Sequence, residues 1–383
     1  MPAKKIIFCI PTYNEADSIG GVVKAIDRGL GRFFARHDCL ILNVDSDSRD
    51  GTKEAFLRTR TKNKKIYLNS LGLGKGRNMK LALEDARDFG ADALGFIDGD
   101  IKNVEPVWVK RLIAPVLRGS DHVLPVYARG KYDGTITNNL VAPILRGILG
   151  VGIRQPIGGE TALSKKAIKA LLFRRWPRSF YLYGVDIFLT TESIFHGLKI
   201  GQVFLGVKSH KPSGPKLNKM FLEVADSLFR QLANHEDYWR REKAAETEVA
   251  DLGGGMSFHL PHARVDRAEM TRRTLAQMRS QKKNIIRLFK KRSEELEDVF
   301  ADAENENFTL GAELWARLVV SFILLERCFR KENLIALRPL FFLRVLSFFQ
   351  ELNGENAAWA EREVLRQAKI FSSVFEEKIS GQR

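Results

Sequence analysis

The chain has 383 residues, 44% hydrophobic and 28% charged, which excludes wholesale disorder and is long for one compact domain. Its formal charge of +16 favours anionic ligands, yet no recognisable nucleic-acid module accompanies it, so nucleic acid is not the expected partner. Three cysteines without a CxxC pair exclude a disulfide scaffold and fit a reducing compartment.

In chain order, Lys5–Pro11 reads as a short apolar strand rather than a signal peptide, because no small-residue cleavage site follows it. An amphipathic helix is expected from about Ser18 to Phe34, with Asp17 or Ser18 at its start. A second strand over Cys39–Asp45 leads through a polar turn into a helix ending near Thr61, and Lys65–Leu68 forms a third. The Gly-rich stretch Leu71–Gly76 opens a helix to about Gly90, and Ala93–Asp98 is a fourth strand ending in acid. Pro106–Arg118 reads as a helix with Pro in its first turn, and Asp121–Arg129 as another strand. Such alternation predicts an α/β fold with a mostly parallel sheet between helices, whose ligands sit beyond the carboxyl ends of the strands.

From about Lys216 the pattern becomes helical, with loops near Gly253–Pro261 and Asp302–Thr309. Heptad-like spacing runs through Leu314, Leu318, Phe322, Leu325 and Phe329. We expect an N-terminal domain over 1–215 and an α-helical domain over 216–383. Leu334–Phe349 is very apolar, but Arg338, Pro339 and Arg344 interrupt it, so it reads as a buried helix or a homodimer contact. No stretch has membrane-spanning length, and the expected location is cytoplasmic.

The strongest chemical signal is Ile97-Asp98-Gly99-Asp100 after an apolar run. Two carboxylates two residues apart at a strand end suit a hard divalent cation shared with substrate phosphates. Earlier lie Pro11-Thr12-Tyr13-Asn14-Glu15 after the first strand and Asp45-Ser46-Asp47-Ser48-Arg49-Asp50-Gly51-Thr52 after the second. As an ordered set over roughly residues 5–210, these strings resemble the family-2-like glycosyltransferases of the GT-A fold. The resemblance implies that Pro11, Thr12, Glu15 and Asp45 meet base and ribose, and that Asp98 and Asp100 flank the diphosphate and metal.

Gly74-Lys75-Gly76 precedes a helix, where glycines expose N–H groups to an anion and Lys75 adds charge. The resemblance places Lys75 at donor oxygens. Further along come Gln155-Pro156-Ile157-Gly158-Gly159-Glu160, Tyr183-Gly184-Val185-Asp186, and Ser209-His210-Lys211. This set resembles the retaining mannosylglycerate synthases and, more loosely, the glucosyl-3-phosphoglycerate synthases. It implies that Asp100 and His210 ligate Mn²⁺ or Mg²⁺ and that Asp98 contacts donor sugar or ribose. Ile157, Gly158 and Gly159 then line the sugar, and Glu160, Asp186 and Asp100 carry the chemistry.

The acceptor segment is Arg129-Gly130-Lys131-Tyr132-Asp133-Gly134-Thr135-Ile136-Thr137. By the same resemblance Arg129 forks onto a glycerate carboxylate and Thr137 supplies a hydroxyl. Thr135 stands where phosphoglycerate synthases carry an Arg, which points to an unphosphorylated acid unless Lys131 or Arg154 substitutes. The expected reaction is retaining transfer of mannose or glucose from GDP-mannose, UDP-glucose or GDP-glucose to D-glycerate or a similar small anionic acceptor. Competing readings are a glucosyl-3-phosphoglycerate synthase, an inverting enzyme with a lipid-phosphate or polysaccharide acceptor, a nucleotidyltransferase, and a basic anion-binding protein without activity.

Overall fold

The structure is a computed structural model that describes residues 2–174, 176–210, 214–240, 249–253, 266–325 and 330–380. Its elements run β1 (Lys5–Thr12), α1 (Ile19–Phe33), β2 (Asp38–Asp45), α2 (Thr52–Arg58), β3 (Lys64–Asn69), α3 (Lys75–Asp88), β4 (Ala93–Phe96), α4 (Pro106–Leu117) and β5 (His122–Ala128). There follow α5 (Ala142–Gly147), β6 (Thr161–Ser164), α6 (Lys165–Phe173), α7 (Val185–Phe195), β7 (Ile200–Val207), α8 (Leu217–Asn234), α9 (Glu236–Arg240) and β8 (Ala250–Asp251). The last helices are α10 (Arg267–Leu288), α11 (Ser293–Glu304), α12 (Ala312–Leu325), α13 (Lys331–Glu351) and α14 (Ala357–Ser380).

The chain divides into two compact units: Met1–Ala128 with Gln155–Pro212 and Val249–Ser257, and Arg129–Arg154 with Ser213–Glu248 and Phe258–Arg383. The expected division at 215/216 differs from this in one main respect. The stretch after β5, which that boundary leaves in the first domain, packs with the helices of the second unit, and Val249–Ser257 belongs to the first.

The first unit is built on one sheet in the order β3-β2-β1-β4-β6-β5-β7-β8. It is a GT-A fold. All pairings are parallel except those of β6 with β4 and β5. Helices cover both faces, so β1 is apolar at successive positions rather than alternating with polar ones. Ile6, Phe8 and Ile10 pack on one side with Val22, Ile26 and Leu112, while Ile7 and Cys9 pack on the other with Met79, Leu83 and Ile168. Gly95 of β4 leaves room for the Phe8 ring, whose Cζ lies 2.6 Å from where a Cβ would stand.

In the second unit the apolar stretch Leu334–Phe349 is the buried middle of α13. Its Arg344 is fully buried, with a two-pronged contact to Glu351 at 2.5 and 2.9 Å and a bond to the Leu310 carbonyl. Phe221 stacks on Phe341, with ring centroids 4.4 Å apart, and the Trp315 indole donates to the Asn139 carbonyl. The heptad-like pattern ends with α12; Cys328 and Phe329 lie outside the described residues. Among the described residues no helix is long and apolar enough to cross a membrane.

Candidate active site

The carboxyl ends of β1 and β2 carry the first cluster. Thr12 and Asp45 are paired across the two strands, and the Thr12 hydroxyl donates to Asp45 Oδ1 at 2.7 Å. Asp45 is fully buried and also accepts from the Ser48 N–H and hydroxyl and from the Tyr67 phenol. That contact, added to burial, pushes the Tyr67 phenol up to about 12. Asp50 and Thr52 tie this turn to the segment after β1: Asp50 accepts from Ala16 N–H, and the Thr52 hydroxyl accepts from Glu15 N–H. Glu15 is nearly buried, and Gly99 packs above both residues, its Cβ position 2.6 Å from Thr12 Cγ2 and 3.5 Å from Glu15 Cγ. The structure therefore gathers Pro11, Thr12, Glu15 and Asp45 at one place beside Gly99.

The second cluster lies beyond β4. Because β6 runs antiparallel to β4, with Phe96 opposite Thr161, the residue before β6 stands beside the residues after β4. Glu160 thus meets Asp98, whose N–H donates to Glu160 Oε1 at 3.3 Å. Two lysines complete the group. Lys75 Nζ lies 2.9 Å from Asp98 Oδ1 and 3.3 Å from Asp186, and Lys208 Nζ lies 3.4 Å from Asp98 and within 2.9 Å of both Glu160 oxygens.

Three carboxylates and two ammonium groups share this largely buried cluster. Glu160 is fully buried, and the side chains of Lys75 and Lys208 are each 12% exposed. Burial acts to raise the Asp98 carboxyl, but Lys75 and Lys208 overcome it and hold the group well below the usual carboxylate range. Burial raises Glu160 and Asp186 despite the lysines. Burial alone would lower Lys75; Asp186, Asp98 and Glu160 raise it instead, and Glu160 and Asp98 do the same for Lys208.

The glycine-rich strings have specific places around this cluster. Gly159, at φ +99°, passes so close that a Cβ would lie 2.6 Å from Asp98 Oδ2 and 3.0 Å from Lys208 Nζ. Gly158 packs on Pro125 and its carbonyl accepts from Lys208; Ile157, before it, is half-buried. The glycines flanking Lys75 differ from the expectation of exposed N–H groups. Gly76 N–H donates to the Leu182 carbonyl, and Cβ atoms at Gly74 and Gly76 would collide with the Tyr181 and Phe180 carbonyls. These glycines admit a neighbouring turn and so aim Lys75 at the acids.

Asp100 and His210 sit on two loops joined by two hydrogen bonds, Lys102 N–H to the Ser209 carbonyl and Ser209 N–H to the Asn103 side-chain Oδ1. Asp100 is half-buried, and its carboxylate has no partner among the described residues; His210 is exposed. A carboxylate and an imidazole on two joined loops are donor types that suit a divalent cation completed by ligand oxygens. No group of three or more metal-binding side chains exists among the described residues, so a metal here would draw its remaining ligands from substrate or water.

The expected acceptor residues belong to the second unit. Arg129 follows β5 directly, Thr135 is half-buried, and Thr137 is buried at the start of a π-helical turn, Thr137–Val141. Lys131 Nζ donates to the carbonyls of Leu352 (3.0 Å) and Glu355 (2.7 Å), and Arg154 forks onto Glu361 at 2.6 Å on both prongs. Lys208 is the site residue that sequence reasoning passed over. Its signal was faint: one lysine closing an apolar strand, two residues before His210.

A parallel half-sheet with polar side chains at its strand ends, followed by acids after β4, is the arrangement of a GT-A domain. Residues 7–171 match the family described as Glycosyl transferase family 2. It is 28% identical over 231 residues to the glucosyl-3-phosphoglycerate synthase of Mycolicibacterium paratuberculosis, covering 54% of this chain and 66% of that enzyme, just under two thirds of its length. To the Mycolicibacterium smegmatis enzyme of the same name it is 28% identical over 245 residues, covering 58% of this chain and 73% of the relative.

Among solved structures, it is similar to glucosyl-3-phosphoglycerate synthase from Mycobacterium tuberculosis. The form with Mg²⁺ and UDP matches at 25% identity and TM-score 0.50, over 60% of this chain and 79% of that one. The form with Mn²⁺, UDP-glucose and phosphoglyceric acid matches at 26% identity and TM-score 0.50, over the same shares.

Proposed function

We propose that this chain is a retaining, divalent-metal-dependent glycosyltransferase that moves a hexose from a nucleotide-sugar to the hydroxyl of a glycerate-type acid. The observation that carries the reading is the enclosed cluster of Asp98, Glu160, Asp186, Lys75 and Lys208 beside the Thr12–Asp45 nucleotide end. Pro11, Thr12, Glu15 and Asp45 take the base and ribose, Asp98 the ribose or sugar, and Lys75 the donor oxygens. Asp100 and His210 hold Mn²⁺ or Mg²⁺, which supplies positive charge to the departing diphosphate.

In the reaction the bond between the anomeric carbon and the diphosphate oxygen breaks. The acceptor oxygen bonds to that carbon from the same face, and its proton passes to the departing phosphate oxygen. Asp186 and the backbone of Ile157–Gly159 hold sugar hydroxyls, and carboxylates fixed in a largely buried site favour the positive charge that develops on the sugar ring. Glu160 acts in the same electrostatic manner. Its oxygens are taken by Lys208, Tyr127 and the Asp98 N–H, which disfavours a role as covalent nucleophile.

The acceptor is read as D-glycerate or a similar small hydroxy acid, held by Arg129 and Thr137 with Thr135 beside them. Lys131 and Arg154, the cations that would replace the missing Arg at a phosphate, are committed to protein partners, which supports an unphosphorylated acid. The resemblance to glucosyl-3-phosphoglycerate synthases favours a second reading with 3-phosphoglycerate. Mass spectrometry of mixtures of protein and Mn²⁺ with UDP-glucose, GDP-glucose or GDP-mannose and either acid decides between them. Product with phosphoglycerate alone rejects the first acceptor, and no product with any pair rejects the transferase reading.

A further inference from the structure

Glu160 is held by a residue that the catalytic scheme above does not use. β6 pairs with β5 only at His122 and Val123, and β5 pairs with β7 through an irregularity between Val126 and Tyr127. Beyond Val123 a side chain does the bonding of a strand. The Gln155 carboxamide accepts from the Tyr127 N–H at 3.1 Å and donates to the Tyr127 carbonyl at 2.8 Å. Gln155 is itself 3% exposed, so both bonds are shielded from water.

Tyr127 is thereby fixed at its backbone, and its ring is fixed as well. Trp108 packs on it with centroids 5.6 Å apart, and Lys208 Nζ stands 5.5 Å from the ring centre. From that position the phenol donates to Glu160 Oε2 at 2.5 Å, while Lys208 grips both Glu160 oxygens. A carboxylate with a single partner can rotate about its last torsion. Donors from Tyr127, Lys208 and the Asp98 N–H, arriving from three directions, leave Glu160 one orientation.

We propose that Tyr127 and Gln155 are positioning residues: Gln155 sets the Tyr127 backbone, and the Tyr127 hydroxyl sets the Glu160 carboxylate and, with it, the Lys208 ammonium in the charge cluster. Neither residue needs to touch substrate. Misalignment of such a cluster weakens charge stabilisation during bond breaking more than it weakens donor binding, because the groups must already stand where charge develops. The inference rests on the transferase reading above.

The test uses Tyr127→Phe, which keeps the ring, with Gln155→Ala, Glu160→Gln and the pair Tyr127→Phe/Glu160→Gln. With the full chain, Mn²⁺ and the productive donor–acceptor pair, Tyr127→Phe and Gln155→Ala are expected to lower kcat at least tenfold. Donor KM should stay within threefold and the thermal midpoint within a few degrees. The double variant should lose little more than Glu160→Gln alone. A kcat within twofold of the parent in Tyr127→Phe, or losses that multiply in the double variant, overturns the proposal. If the parent transfers to no acceptor, the transferase reading fails by itself. The thermal midpoints of the same two singles and their double then decide whether Tyr127 sets Glu160: a sub-additive shift retains the coupling, and additive shifts remove it.

Discussion

Lys208 donates to both carboxylate oxygens of Glu160, at 2.9 and 2.8 Å, and Glu160 has no exposure to water. Breaking such a pair from one side strands a buried charge, which typically costs about 3–5 kcal/mol. Lys208→Met is therefore expected to destabilise the protein by roughly that amount in urea unfolding. The companion Lys208→Met/Glu160→Gln should recover much of the loss, since the stranded charge is gone. A double variant no more stable than the single would show that the loss comes from packing.

Gly159→Ala tests the close approach at the cluster. The added methyl meets Asp98 at 2.6 Å on a backbone with φ +99°, and strain of that kind costs on the order of 1–3 kcal/mol. Transfer should fall about a hundredfold, the rate equivalent of ~2.7 kcal/mol, with a smaller effect on the melting temperature. Near-parental activity would mean that Gly159 is not forced by its neighbours.

Asp100→Ala and His210→Ala test the metal assignment. Each should lower transfer by about a hundredfold or more, as loss of ~3 kcal/mol of transition-state stabilisation would. Excess Mn²⁺ should restore His210→Ala further than Asp100→Ala, because one carboxylate still binds a hard cation. Calorimetric Mn²⁺ titration in the presence of UDP checks the same point without catalysis. Parental activity and affinity in both variants would remove these residues from the metal site.

His122 predicts a pH dependence of stability. It is fully buried between the Ser193 and Thr161 hydroxyls, and burial lowers its pKa from 6.5 to about 3. Below pH 6.5 the unfolded chain binds a proton that the folded chain refuses. The contribution is thus complete above pH 6.5 and is lost as pH falls toward 3. Between pH 6.5 and 5 it amounts to roughly 2 kcal/mol. His122→Asn should flatten that part of the stability profile; an unchanged slope would assign the acid loss to other groups.

Much of this was legible from residue order. Parallel strands buried on both faces leave apolar runs such as Ile6–Ile10, and the polar strings that follow them marked the strand ends correctly. What could not be read depends on pairing across the sheet. Lys208 joins Glu160 and Asp98 only because β7 lies beside β5 and β6 reverses direction next to β4. The glycines around Lys75 could not reveal whether they exposed N–H groups or admitted a neighbouring turn, since both demand the same absent side chain. The stretch from Arg129 to Arg154 has ordinary composition, and only tertiary contacts assign it to the second unit.

The two hydrogen bonds between Gln155 and Tyr127 also fasten a detour. The chain leaves β5 just after Tyr127 and returns at Gln155, so the points of departure and re-entry are clasped within the first unit whatever lies between them. The stretch from Arg129 to Arg154 is thus tied at both ends to one residue pair of the sheet. On the proposed reading, the residues offered to the acceptor lie within that clasped stretch and those offered to the donor lie outside it.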